Sequence, residues 1–439
     1  MRLPTPYRSL RARRAVVAVL IGALVASACS SSSKSTTATT SGSSAAASTT
    51  ASAGSTTAAA TAGRAATGGA GAALPTTLDP SFYVAPDPLP AGEPGAIIRS
   101  QELKGGSGTR TFALLYRSTA VDGTPVAVSA VAYMPTTPSA GDRPVLAWAH
   151  GTTGLGDACS ESGALISGTA PELAFVNIVT GQDRVVVATD YQGLGTPGPH
   201  PYLVNRAAGR DVLDSIRAVE QLKESGAGAR SKAVVWGHSQ GGGAAAFAAE
   251  LQPTYAPDVD LVGVAAGAAA ADFGVFTDAA TPGGGTDFGF VVMALAGFSS
   301  AYPDVNLATL LTPAGRAIAT RIADQCSDDI LRELNNTKSA ELLTPAVATD
   351  PALAARLKEN SAGYESTAVP VFLYHGDDDV TVPPVASKNI HDRYCAEGVN
   401  ATLKTYPGTD HVSVLLPAFV DITRWLGDRL AGTAAPSGC

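Results

Sequence analysis

Residues 233–251 read AVVWGHSQGGGAAAFAAEL. The first four are apolar and strand-forming, the stretch after Gly243 is built of small and apolar helix formers, and Gly237-His238-Ser239-Gln240-Gly241 joins the two. A buried strand that turns sharply into a helix is the setting in which G-x-S-x-G holds a serine on a strained backbone. The residues two before and two after that serine must be small, because the chain doubles back on itself there. Gly237 and Gly241 meet this requirement, while Gly242 and Gly243 let the helix close on the strand and bring its positive end toward a developing oxyanion. Ser239 is therefore the candidate nucleophile. The bare motif is weak in a chain with 46 glycines; its strand, turn and helix context carries the reading.

Working outward, short apolar runs alternate with amphipathic ones. Strands are expected at 111–117 and 126–134 as a hairpin about Asp122-Gly123, then at 144–149, 184–189, 233–236, 261–265, 369–374 and 402–406. Helices are expected at 205–226, 241–251, 385–395 and from about 417. In the first helix Val212, Ile216, Val219 and Leu222 share a face, and Asp211, Asp214, Arg217 and Glu220 read as the solvent side. This rhythm predicts an α/β fold with a mostly parallel sheet and helices on both faces. It breaks between 268 and 367, far too long for an ordinary connection, which predicts an inserted, mainly helical cap. Its run FGFVVMALAGF, 288–298, suits either an acyl pocket or the packing of the cap on the core. The domain plan is 75–267 and 368–439 for the catalytic part and 268–367 for the cap.

A serine hydroxyl needs a base to take its proton, and the base needs a carboxylate to hold its tautomer. Of six histidines, His411 lies in a loop between the last expected strand and the last helix, where such a fold presents its base. His150, His200, His238, His375 and His391 sit in other contexts. After strand 369–374 comes HGDDDVTVP, 375–383, with three adjacent acids, of which Asp379 has the spacing of a strand-end loop acid; Asp377 and Asp378 are read as solvent-facing. The order Ser239, Asp379, His411 is that of an α/β-hydrolase. The oxyanion hole is expected at the N–H of Gln240 and at the N–H of Thr152 in His150-Gly151-Thr152-Thr153-Gly154. No metal or cofactor is expected, since the acids lack a calcium loop's spacing and the cysteines and histidines lack zinc spacing.

The N-terminus looks like an export signal. Residues 1–28 hold five arginines and no acid, followed by an apolar run from Ala15 to Val25 that is too short to span a bilayer. Ala26-Ser27-Ala28-Cys29 suits lipidation of Cys29, with plain signal-peptidase cleavage as the rival. From Ser30 to Ala73 every residue is Ser, Thr, Ala or Gly except Lys34 and Arg64, a composition with nothing large to bury. So 1–28 reads as a signal peptide and 29–74 as a flexible tether, giving an envelope lipoprotein or a secreted protein. The net charge of −8 becomes more negative once the basic leader is gone, which argues against nucleic-acid binding. A monomer is expected.

Cys159, Cys326, Cys395 and Cys439 allow three pairings, and export permits disulfides. Cys159–Cys326 with Cys395–Cys439 is the favoured set, tying the oxyanion side to the cap and the C-terminus to the helix after the acid loop. The lead-in Asp79-Pro80-Ser81-Phe82-Tyr83, Pro94-Gly95-Ala96-Ile97-Ile98-Arg99-Ser100, Tyr116-Arg117-Ser118-Thr119, Asp190-Tyr191-x-Gly193-x-Gly195, the GHSQGG box, the Gly376-to-Pro383 loop and His411 together resemble the secretory lipase family of α/β-hydrolases, which includes fungal lipases of the lipase A type. The resemblance covers nearly all of 79–439. It implies a capped, cofactor-free carboxylic ester hydrolase acting on acylglycerols or other lipid-like esters, with the same two disulfides. The chain departs from the fungal members at the oxyanion loop, where they carry an acid and it carries Thr152-Thr153. An exported serine peptidase of prolyl or tripeptidyl aminopeptidase type is the enzyme alternative, and a non-catalytic envelope-binding lipoprotein the alternative of another class.

Overall fold

The computed structural model describes residues 74–79, 81–170, 182–275 and 288–439. The expectations for the leader, Cys29 and the tether up to Ala73 lie outside these residues. Nine strands form one sheet in the order β1-β2-β3-β5-β4-β6-β7-β8-β9. β1 (Ile97–Leu103), β2 (Thr109–Thr119) and β3 (Pro125–Pro135) are an antiparallel meander, and β3 pairs antiparallel with β5 (Val185–Thr189). From β5 onward the sheet is parallel through β4 (Val145–Ala149), β6 (Lys232–His238), β7 (Asp260–Gly267), β8 (Val371–Gly376) and β9 (Ala401–Tyr406). The expected hairpin is β2–β3, turning at Asp122-Gly123, where Gly123 takes φ 90°. β1 was not expected from the sequence. Its run IIRSQEL is an edge strand with little deep burial, so its hydrophobic alternation is weak.

Both faces of the sheet are covered, as the continuous apolar strands require. Val145, Ala147 and Ala149 of β4 and Val235 of β6 point to a core shared with helices α2 (Asn205–Gln221) and α3 (Gln240–Tyr255). Leu146, Trp148, Val234 and Trp236 point the other way, into a core closed by the C-terminal helix α9 (Leu415–Leu430). There the Trp148 and Trp236 rings meet edge to face at 5.1 Å, and Trp236 Nε1–H donates to Tyr374 Oη at 3.0 Å.

One helix reading needs correction. The Asp211 and Asp214 side of α2 is not solvent but buried, because α2 is wedged between the sheet and α3. Asp211 Oδ2 accepts the Gln192 N–H at 2.9 Å, and Asp214 accepts Arg217 Nη1 at 2.9 Å and Tyr255 Oη at 2.6 Å. Burial of charges is tolerated only with such partners. The helix also ends at Gln221, short of the expected 226.

Between β7 and β8 the chain forms α4 (Phe288–Ala301), α5 (Pro313–Arg321), α6 (Ser327–Leu334) and α7 (Pro351–Glu359), with shorter turns between them. These helices share an apolar core of their own, including Phe288, Val292, Met293, Phe298, Leu310, Ile322, Ile330 and Leu353. That core continues onto Leu155, Tyr202, Val204, Val382 and Ala386 from other parts of the chain. The stretch FGFVVMALAGF is α4. One side of it is buried, while Phe290, Val291, Ala294 and Ala296 are only partly covered. Among the described residues no helix is long and apolar enough to cross a membrane.

Candidate active site

Parallel strands deliver their carboxyl ends to one edge of the sheet, and the loops there collect the candidate side chains. β6 ends in His238, and Ser239 follows with φ 62° and ψ −119°, a conformation that L-residues rarely adopt. The glycines explain how the turn fits. A Cβ on Gly237 would lie 1.9 Å from the Gly241 carbonyl oxygen, and one on Gly241 would lie 1.9 Å from that of Ala149. The strained backbone is fastened on both sides, with Ser239 N–H donating to Gly267 O at 2.9 Å and Ala270 N–H to Ser239 O at 3.0 Å. Gln240 opens α3, so its N–H has no acceptor within the helix.

His411, in the loop after β9, sets Nε2 2.9 Å from Ser239 Oγ, and its Nδ1 lies 2.6 Å from Asp379 Oδ2. Asp379, in the loop after β8, is buried, whereas Asp377 and Asp378 are exposed. Its Oδ1 accepts the N–H groups of Thr381 at 2.9 Å and Val382 at 3.0 Å. Burial acts to raise the Asp379 pKa, but hydrogen bonds from His375 and His411 outweigh it and hold the carboxyl far below the usual range. Ser239, Asp379 and His411 thus form one hydrogen-bonded line drawn from three loops.

His150, His200 and His238 pack around this line. His150 is buried, its Nδ1 is 2.6 Å from Gly151 O, and burial pushes its pKa down to about 4. Tyr191 is fully buried and donates its hydroxyl to His150 O at 2.9 Å. His238 Nε2 lies 2.7 Å from His411 O, bracing the loop of the base; burial, then the neighbouring His411, push its pKa down to about 3. His200 is held near 4 by burial; its Nδ1 faces Gln192 O at 2.8 Å and its Nε2 faces Gln240 Nε2 at 3.0 Å. A neutral ring with Nδ1 protonated satisfies both contacts.

The loop carrying Thr152 is tied to the β7–β8 connection rather than to the sheet. Gly154 forms a β-bridge with Cys326, Leu155 N–H donates to Gln325 O at 3.0 Å, and Ser327 N–H to Thr153 O at 2.8 Å. Cys159 and Cys326 are disulfide-bonded beside this bridge, and Cys395 and Cys439 form a second disulfide. Thr152 Oγ1 pairs with Tyr202 Oη at 2.7 Å. Nothing in the spacing of the sequence signalled Tyr202, Gln325 or His375 as parts of this site, because each reaches it only through tertiary contact. His391, Cys395 and Cys439 cluster closely enough to suggest a metal, yet both sulfurs are already bonded to each other.

Comparison with known proteins adds the family. The model of the family described as secretory lipase matches residues 161–438, which takes in Ser239, Asp379 and His411 and begins after Thr152. The chain belongs to the secretory lipase family. It is similar to the secreted triacylglycerol lipase LIP5 of Malassezia globosa, at 25% identity over 83% of this chain and 81% of that one. It is similar, too, to a protein of Mycobacterium tuberculosis named a probable inactive lipase, at 26% identity over 81% and 82%. Among solved structures, Candida antarctica lipase A in its closed state superposes with a TM-score of 0.72 at 21% identity, over 84% of this chain and 89% of that one. This secretory lipase therefore has the α/β-hydrolase fold that the order of its motifs predicts.

Proposed function

We propose that this secretory lipase is an exported serine ester hydrolase that cleaves acylglycerols or similar lipid-like esters through an acyl-enzyme on Ser239. The observation that carries the reading is the unbroken line from Ser239 Oγ through His411 to Asp379 on a strained elbow. In this reading His411 takes the Ser239 proton as Oγ attacks the ester carbonyl, then gives it to the departing alcohol. Water, deprotonated by the same imidazole, releases the acid and restores the serine. The tetrahedral oxyanion is met by the N–H groups of Gln240 and Thr152 and by the N-terminal end of α3. The half-covered side of α4 offers apolar surface for an acyl chain, and the helices between β7 and β8 act as the cap, 268–367. Export is supported by the leader and by a relative whose name says it is secreted. Cys29 is the proposed lipid attachment point, with the Ser/Thr/Ala/Gly tether holding the enzyme off the membrane.

The relatives' names favour esters over peptides. The inactive alternative has a namesake among the relatives, but here every group needed for acyl transfer is within bonding reach of the next. Turnover of a p-nitrophenyl ester series and an emulsified triglyceride, beside aminoacyl-p-nitroanilides, tests all three. Ester cleavage without anilide cleavage is expected; anilide cleavage alone would move the assignment to a peptidase, and neither would leave a binding protein.

A further inference from the structure

Asp379 serves two histidines. Besides His411, the ring of His375 at the end of β8 sets its Nε2 3.0 Å from Asp379 Oδ2 and 2.9 Å from Val382 O. Facing two oxygen acceptors, that nitrogen carries a proton. The opposite nitrogen, Nδ1, pairs at 2.7 Å with Ser387 Oγ on α8 (Val385–Ala396), which fixes the ring. His375, Asp379 and Ser387 are all buried. The carboxylate therefore meets four N–H groups: His411 and His375 on Oδ2, Thr381 and Val382 on Oδ1.

We propose that His375, locked by Ser387, is a positioning residue that keeps Asp379 a fixed, fully hydrogen-bonded anion and so sets how tightly Asp379 grips the proton of His411. The reasoning is one of competition. A carboxylate oxygen that already accepts a hydrogen bond in a buried site has less charge to offer a second donor, and hydrogen bonds to charged groups are the strong ones. With the His375 donor gone, negative charge collects on the oxygen facing His411. The imidazolium is then held more firmly, and the base becomes available only at higher pH. Among the described residues, the ionisable groups that face this centre are few. His238 lies against His411 from the nucleophile elbow; Asp410 precedes His411, with Oδ1 accepting the Ser413 N–H; Asp377 and Asp378, on the acid's own loop, are exposed. None of them donates a hydrogen bond to Asp379 in place of His375.

The inference rests on the triad reading above, and its test is separable from it. Kinetics of p-nitrophenyl ester hydrolysis by the full chain are measured from pH 4 to 9 for wild type, His375→Leu, His375→Gln and Ser387→Ala. Leu fills the site without a donor, while Gln keeps an N–H near the Nε2 position. His375→Leu should lower kcat by roughly 10- to 100-fold with little change in KM. It should also move the acid limb of kcat/KM upward by about half a pH unit or more. Gln should restore the acid limb, and Ser387→Ala should shift it in the same direction as Leu but less. A purely structural role predicts loss of activity at every pH with the limb unmoved, and that result overturns the proposal. Should His375→Leu fail to fold, an unmoved limb in Ser387→Ala overturns it instead. A wild-type chain that cleaves no ester would refute the triad reading and this proposal with it, whereas an unmoved limb between active enzymes overturns this proposal alone.

Discussion

At the scale of single residues, the site depends on one strained serine and one choice among three aspartates. Ser239→Ala removes the atom that forms the acyl-enzyme, and the backbone contacts to Gly267 and Ala270 that hold the elbow remain. Activity should fall by about 10⁴-fold or more, because members of a triad act as a unit, while the melting temperature stays close to wild type. A variant that keeps a tenth of the activity would remove Ser239 from the mechanism. Asp379→Asn should cost on the order of 10⁴-fold by presenting an amide N–H to His411 and favouring the wrong tautomer. Asp377→Asn and Asp378→Asn should be mild, since both side chains are exposed. The sequence singled out Ser239, Asp379 and His411 because each lies in a loop that follows an expected strand, Ser239 within G-x-S-x-G and Asp379 within G-x-x-D-x-x-V-P. It was silent about His375, whose partner Ser387 lies on the following helix and whose role exists only once Asp379 is buried.

At the scale of elements, the segment 325–327 holds the loop that carries Thr152, the proposed oxyanion donor. Two backbone hydrogen bonds, which make the Gly154–Cys326 bridge, and the Cys159–Cys326 bond join 153–159 to it across a sequence separation of 167 residues. The loop-closure estimate for such a bond is about 5 kcal/mol as an upper value. Cys326→Ser keeps the backbone contacts but loosens them, so the Thr152 N–H loses its fixed position. We expect kcat to fall several-fold on acetyl esters, and further on long acyl esters because α4 is rooted in the same helical group. Chain-length kinetics below the unfolding temperature check this, and equal losses at all lengths would detach α4 from acyl binding. Legibility at this scale follows burial. β4 to β8 were readable because strands covered on both faces are largely apolar, whereas β1, at an edge, had no such pattern. The helices between β7 and β8 were recognisable as an interruption, yet their pairing with the Thr152 loop was not, because β-bridges between distant segments leave no periodicity.

At the scale of the whole molecule, the reading of α2 went wrong for a reason that has a measurable consequence. Amphipathic spacing takes acids for a wet face, but packing against both the sheet and α3 leaves Asp211 and Asp214 inside, and Glu250 of α3 and Asp190 after β5 are inside as well. Burial raises their pKa values to about 7, 6, 7 and 6 respectively, although each accepts hydrogen bonds that pull the other way. In the unfolded chain the same carboxyls titrate near 4. Between about pH 4 and 7 the folded state therefore holds more protons than the unfolded state, and stability falls as pH rises through that window. Asp379 has the opposite shift in a window below pH 4, while His150, His200 and His238, held near 4, 4 and 3, bind fewer protons folded than unfolded between about pH 4 and 6.5 and offset much of the trend. The melting temperature should accordingly be higher at pH 5 than at pH 8 by only about 2 °C. Glu250 offers the cleanest control, because its Oε1 accepts the Gly363 N–H at 2.7 Å and the Tyr394 hydroxyl at 2.8 Å, and a glutamine oxygen accepts both. Glu250→Gln should narrow the gap between the two pH values by raising the melting temperature at pH 8 more than at pH 5. A Glu250→Gln variant that leaves the gap unchanged would mean that this carboxyl is ionised in the fold at no cost, and that water reaches it.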